Sequence, residues 1–132
     1  MQHIIDTHTF LWFTKGSAEL PISIRDLIGD PANTTQISIA SFWEIGIKAG
    51  TGKLPLTTSL LDLQAFAEAQ AIEILPITVQ AITLIQQFPF HHKDPFDRII
   101  AATALTTGSI LLSADTIFDA YGVPRTWQES EL

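Results

Sequence analysis

The sequence predicts an α/β domain: a parallel sheet of four or five strands with helices on both faces. Three observations carry that expectation. Short apolar runs recur along the chain, stretches with helical spacing alternate with them, and acidic residues stand at or just beyond several of their carboxyl ends. Apolar strands that alternate with helices form βαβ units, whose sheets are parallel and buried on both sides.

The elements follow in order. His3-Ile4-Ile5 is the first strand and closes on Asp6. Gln36-Ile37-Ser38-Ile39 is the second and closes on Ala40-Ser41, and Ile72 to Leu75 is the third, stopped by Pro76. Ser109 to Ser113 is the fourth and leads into Ala114-Asp115. A short fifth run, Val123 to Trp127, suits a sheet edge, where Pro124 is tolerated. Helical spacing marks residues 41–49, with Phe42, Ile45 and Ile47 to Ala49 on the buried side, and Leu60 to Gln70, with Leu60, Leu61, Leu63 and Ala67. It also marks Val79 to Gln87, through Ile82 and Ile85, and Pro95 to Thr107, through Ile99, Ala102 and Leu105. Gly108 is placed to end that last helix in the left-handed conformation. Gly50 to Lys53 and Phe88 to Lys93 read as loops. No repeat, low-complexity tract or second domain interrupts the pattern, so residues 1–132 are expected to form one domain.

Composition bounds the function. A chain of 132 residues, 46% hydrophobic and 16% charged, buries about two thirds of its unfolded surface and is not disordered. No apolar run reaches the roughly 18 residues that span a bilayer, and Met1 to Asp6 lacks a signal peptide's basic segment. With no cysteine there is neither a disulfide nor a thiolate metal site, and a cytoplasmic protein without membrane contact is expected. Fourteen acids against seven bases give a net charge of −7, which opposes non-specific attraction to nucleic acid. An RNA substrate would need metal ions to neutralise part of that acidity and the few bases to gather near the site. Lys48, Lys53, His91, His92, Lys93 and Arg98 do fall in two short stretches beside candidate acids.

Open α/β sheets bind ligands outside the carboxyl ends of their strands. Asp6 ends strand one, Asp115 sits just past strand four, and Glu44 lies in the first turn of the helix after strand two. Asp97 opens the helix that precedes strand four, so it starts from the same edge. Each acid has a simpler reading. Ser41 and Glu44 have capping-box spacing, Asp94 before Pro95 is an N-cap beside which Asp97 favours the helix dipole, and Asp115 can start a turn. Together, four like charges at one rim destabilise each other unless a cation sits among them. Carboxylate oxygens suit Mg²⁺, which lowers the pKa of bound water and stabilises charge on a phosphoryl group. No Ser-His-Asp set, cysteine nucleophile or glycine-rich phosphate loop competes with this reading.

Four blocks also resemble a known family. Ile4-Ile5-Asp6-Thr7-His8-Thr9-Phe10-Leu11-Trp12 resembles the opening of VapC-type toxins, the PIN-domain ribonucleases of type II toxin–antitoxin pairs. Ser41-Phe42-Trp43-Glu44-Ile45-Gly46-Ile47-Lys48, running on to Gly52-Lys53-Leu54, looks like the second block. His92 to Ala102 looks like the third and Leu112 to Phe118 the fourth, in order and across nearly the whole chain. The resemblance implies a PIN-like three-layer α/β/α fold, Mg²⁺ with Mn²⁺ as a substitute, and RNA cleavage by metal-activated water. It further implies a cognate antitoxin, and a homodimer is expected. Asp6, Asp97 and Asp115 match metal ligands, Glu44 completes the catalytic acids, and Ser113 and Asp94 stand as supporting or additional ligands. Lys48 and Arg98 are the candidate phosphate contacts, and Asp119 competes as fourth acid. Phe10, Trp12 and Phe13 together exceed what one helix face buries: either Phe10 and Phe13 fill the core and Trp12 is half exposed, or the three make an aromatic patch for an antitoxin or a second copy. A haloacid-dehalogenase phosphatase would need an acid at position 8, where His8 stands, and a receiver domain a phosphoacceptor Asp after strand three, where Pro76 stands. A PIN scaffold that binds RNA or a partner without cutting is the remaining alternative.

Overall fold

Ile4 and Ile5 are neighbours in sequence, and neither exposes any surface. Successive strand residues point to opposite faces, so this one pair requires apolar cover on both sides of the sheet. The computed structural model describes residues 1–89 and 94–127, and the expectations that fall on His91, His92 and Lys93 lie outside that range. Its strands are β1 (Gln2–Ile5), β2 (Thr34–Ser38), β3 (Ile72–Leu75), β4 (Ile110–Leu112) and β5 (Arg125–Thr126). They pair in parallel in the order β3-β2-β1-β4-β5.

The two faces carry separate cores. Ile5, Ile37 and Leu112 pack beneath α1 (Thr7–Lys15), α2 (Ile22–Gly29), α3 (Ile39–Gly50) and α4 (Leu60–Ala69), through Phe10, Ile24, Ile45 and Leu63. Ile4 and Leu111 pack beneath α6 (Pro95–Thr107) through Ile100, Ala101 and Ala104, joined by Phe118 and Tyr121 of a 3₁₀ segment, Thr116–Tyr121. The short helix α5 (Val79–Gln87) lies against α6. The result is a three-layer α/β/α domain with a parallel sheet, as the sequence predicted.

Several boundaries coincide with expectation: β3, α5 and α6 begin and end where the sequence placed them, and Gly108 caps α6 at φ +66°. Others moved for physical reasons. The helix after β2 begins at Ile39 and not at Ser41, because the Ser38 side chain accepts the Ala40 N–H and caps it. Ile47, Leu61 and Ile82, expected on buried sides, are 43%, 76% and 48% exposed. Helix α2 was not among the helical patterns; its eight residues bury Ile24 and Ile28, with Leu27 packed partly against the same core. Among the described helices none is long and apolar enough to cross a membrane.

Strand order reverses direction between β1 and β4: the chain moves outward through β2 and β3, then returns to the other side of β1. Such a switch point leaves a crevice outside the carboxyl ends of the two diverging strands. Asp6 follows β1 and Ser113 follows β4, so the crevice opens between them.

Candidate active site

Asp6 leaves β1 in an extended conformation and caps α1, its Oδ1 accepting the Thr9 N–H at 3.0 Å. Its other oxygen accepts from the Ser113 hydroxyl at 2.5 Å, across the β1–β4 switch point. Ser113 is fully buried and accepts the Asp115 N–H at 3.0 Å, so one hydroxyl ties the first acid to the loop bearing the last. A parallel tie runs from the Thr9 hydroxyl to the Leu112 carbonyl, 3.0 Å away. Burial raises the Asp6 carboxyl above the ordinary aspartate range, and the hydrogen bonds from Ser113 and Thr9 pull the other way.

Glu44 is buried in the second turn of α3 and not, as the sequence suggested, in its first. The capping-box reading therefore fails, since Ser41 lies inside the helix and Ser38 is the cap. What holds Glu44 is tertiary: the Thr7 hydroxyl donates to Oε1 at 2.6 Å, and Lys48 Nζ lies 2.5 Å from Oε2. Thr7 lies 3.0 Å from the buried Ser41 hydroxyl as well. Sequence reasoning passed over Thr7 and Thr9, although the polar residues just after a strand-end acid were the available signal.

Asp94 caps α6, with Oδ1 accepting the N–H groups of Phe96 at 2.9 Å and Asp97 at 3.4 Å. Pro95 follows at the first helical position, where its missing N–H costs nothing. The cap fixes the start of the helix and so fixes where Asp97 emerges. Asp115 caps the 3₁₀ segment through the Ile117 N–H at 3.0 Å and is exposed.

These side chains meet. A cavity of about 250 Å³ is lined by Asp6, Thr7, His8, Glu44, Lys48, Asp94, Asp97 and Asp115. Five carboxylates from the ends of β1, α3, α6 and β4 face one lysine. Two candidates are not brought in. Arg98 sits one residue round the helix from Asp97, and its guanidinium donates to the Ile85 carbonyl at 3.2 Å. It borders a separate cavity of about 420 Å³ with Ile82, Ile85 and Phe88, so its expected phosphate contact has no support in this geometry. Asp119 is held away by Arg125, whose Nε and Nη2 reach its two oxygens at 2.9 and 3.0 Å. That bidentate pairing holds the Asp119 carboxyl below its ordinary range.

Among the described residues no three of the acids and histidines close on a common ligation point. They ring a cavity instead. Mg²⁺ keeps several waters and takes one or two carboxylates directly, so oxygen donors spaced around such a cavity fit a hydrated divalent ion.

The family model described as "PIN domain" matches residues 3–124 of this chain. Ribonuclease VapC22 of Mycobacterium tuberculosis is 27% identical over 125 residues, 92% of this chain and 93% of that protein. Among solved structures, VapBC2 from Rickettsia felis, bound to a DNA fragment from its promoter, superposes with a TM-score of 0.70 at 16% identity. That match covers 97% of this chain and 100% of the other. VapBC-1 from nontypeable Haemophilus influenzae gives 0.66 at 19% identity, over 96% and 97% of the two chains.

Proposed function

We propose that this chain, which belongs to the PIN domain family, is a divalent-metal-dependent ribonuclease and the toxin component of a type II toxin–antitoxin pair. One observation carries the reading: acids from four distant segments line one cavity at the topological switch point of the sheet. The likeness to a ribonuclease over 92% of the chain supports it, as does the fold shared with toxins from toxin–antitoxin complexes.

Each residue has a role in this reading. Asp6, Asp97 and Asp115 would hold Mg²⁺, or Mn²⁺ in its place, with Asp94 as a further acid at the rim. A bound divalent ion would supply charge stabilisation at the scissile phosphate and acidify a water for in-line attack. Ser113 fixes the Asp6 carboxylate by hydrogen bonding, and Asp94 fixes the first turn that carries Asp97. Glu44, held between Thr7 and Lys48, keeps the lysine at the cavity edge, where its ammonium can meet a substrate phosphate. An antitoxin with basic segments would balance the net charge of −7, and a homodimer remains part of the proposal. Incubating the purified chain with total cellular RNA tests the reading. Cleavage with Mg²⁺ or Mn²⁺ that stops on chelation supports it, and no cleavage of any RNA leaves a non-cutting scaffold in its place.

A further inference from the structure

Beside the carboxylate cavity lies a second of about 240 Å³, lined by Asp6, His8, Trp12, Ala114 and Asp115. The two share Asp6, His8 and Asp115, so they form one continuous depression. Its character changes along its length. The inner part is ringed by carboxylates, whereas the outer part is bordered by two aromatic rings one helical turn apart on α1.

His8 and Trp12 have ring centroids 5.8 Å apart, and Trp12 lies 5.8 Å from Trp127. Trp12 and Trp127 pack partly against the core, which fixes the Trp12 ring, while His8 is exposed. Anchored in this way, Trp12 borders the cavity together with exposed His8 and offers aromatic surface on which a planar group can stack. The space falls below the roughly 300 Å³ at which pockets for drug-sized ligands begin, and suits a single planar ring system. A neutral nucleobase also escapes the repulsion that Asp6 and Asp115 impose on a phosphate wherever no cation neutralises them.

We propose that His8 and Trp12 form a nucleobase subsite, which stacks a base of single-stranded RNA next to the phosphate held in the carboxylate cavity. The inference rests on the ribonuclease reading above and adds a specificity element to it. Stacking on aromatic side chains tolerates any base, so the subsite would favour unpaired RNA over duplex more than one sequence over another.

The test is binding without cleavage. A fluorescein-labelled single-stranded RNA is titrated with the full chain at low ionic strength, once in Ca²⁺ and once in a chelator, and anisotropy is read. No wild-type binding in either buffer would overturn the proposal. His8→Ala and Trp12→Leu should each weaken binding about tenfold, the scale of one lost base–aromatic stack. Trp12→Phe, which keeps a ring, should retain most of the affinity. Removing one base from the oligonucleotide should weaken the wild type but have little further effect on Trp12→Leu. Thermal midpoints establish that the Trp12 variants fold, and exposed His8 tests the idea independently of the core. Unchanged affinity in His8→Ala and in folded Trp12→Leu would overturn the subsite, as would equal losses from base removal in wild type and variant. The two readings fail separately. Ring-dependent binding without cleavage in Mg²⁺ or Mn²⁺ removes the ribonuclease activity alone, and cleavage with ring-independent binding removes the subsite alone.

Discussion

Ser113→Ala isolates one hydroxyl that serves two partners. It donates to a buried carboxylate at 2.5 Å and accepts the Asp115 N–H at 3.0 Å. A hydrogen bond to a charged group contributes about 1.5–3 kcal/mol. The second bond adds less, because exposed Asp115 lets water replace the lost acceptor. The expected destabilisation in metal-free buffer is therefore about 2–3 kcal/mol, or a fall in melting midpoint on the order of 10 °C for a domain of this length. The variant also changes how stability depends on pH. Burial raises the Asp6 carboxyl, so the fold prefers it protonated. That contribution is complete below the unfolded-state pKa and is lost as pH rises through the folded one. Losing the Ser113 bond, which opposes the rise, moves the folded value further up. The acidic limb of the cleavage profile should therefore shift to higher pH in Ser113→Ala. Thermal melts in a chelator and a pH–rate profile with Mg²⁺ measure both effects. A midpoint within 2 °C of wild type, with an unmoved acidic limb, would refute the idea that this hydroxyl holds Asp6.

Four further outcomes are expected. Asp6→Asn and Asp97→Asn should abolish RNA cleavage in folded protein, and cleavage that survives Asp97→Asn would hand that ligand role to Asp94. Lys48→Ala should weaken RNA binding and flatten its salt dependence by about 0.7 per lost phosphate contact in a log–log plot, whereas an unchanged slope would reduce Lys48 to the partner of Glu44. Mg²⁺ or Mn²⁺ at a hundredfold excess over its Kd should stabilise the fold by about 2.7 kcal/mol, well beyond NaCl of equal ionic strength, and the effect should collapse in Asp6→Asn. Asp119→Asn should leave cleavage intact, because its carboxylate is committed to Arg125 outside the cavity; a nuclease-dead Asp119→Asn would put that acid back into the site.

The parts of the fold legible in sequence were those governed by local chemistry. Asp94-Pro95 announced the start of α6 and Gly108 its end, because a cap and a left-handed residue have few substitutes. The acids at strand ends could be placed on one rim, since sheet topology alone dictates which edge they reach. What escaped depends on tertiary contacts. Ser38 and Ser41 both suit a cap, and only the buried partnership of Ser41 with Thr7 decides between them. Arg98 follows Asp97 directly, yet the α5–α6 contact turns it toward the Ile85 carbonyl. Amphipathic spacing on α4 marked Leu61 as apolar but could not reveal that it stays 76% exposed among the described residues.

The bond between Asp6 and Ser113 joins residues 107 positions apart. A chain growing from its N-terminus therefore carries Asp6 long before the strand that completes the crevice exists. Neither the β1–β4 pairing nor the loop bearing Asp115 can form until nearly the whole sequence is available. If the proposed RNA cleavage is right, connectivity withholds it until nearly the whole chain has been made. Any fragment that ends before β4 keeps four of the five cavity acids and has no switch point at which to gather them. Long-range pairing of this kind is slow to find.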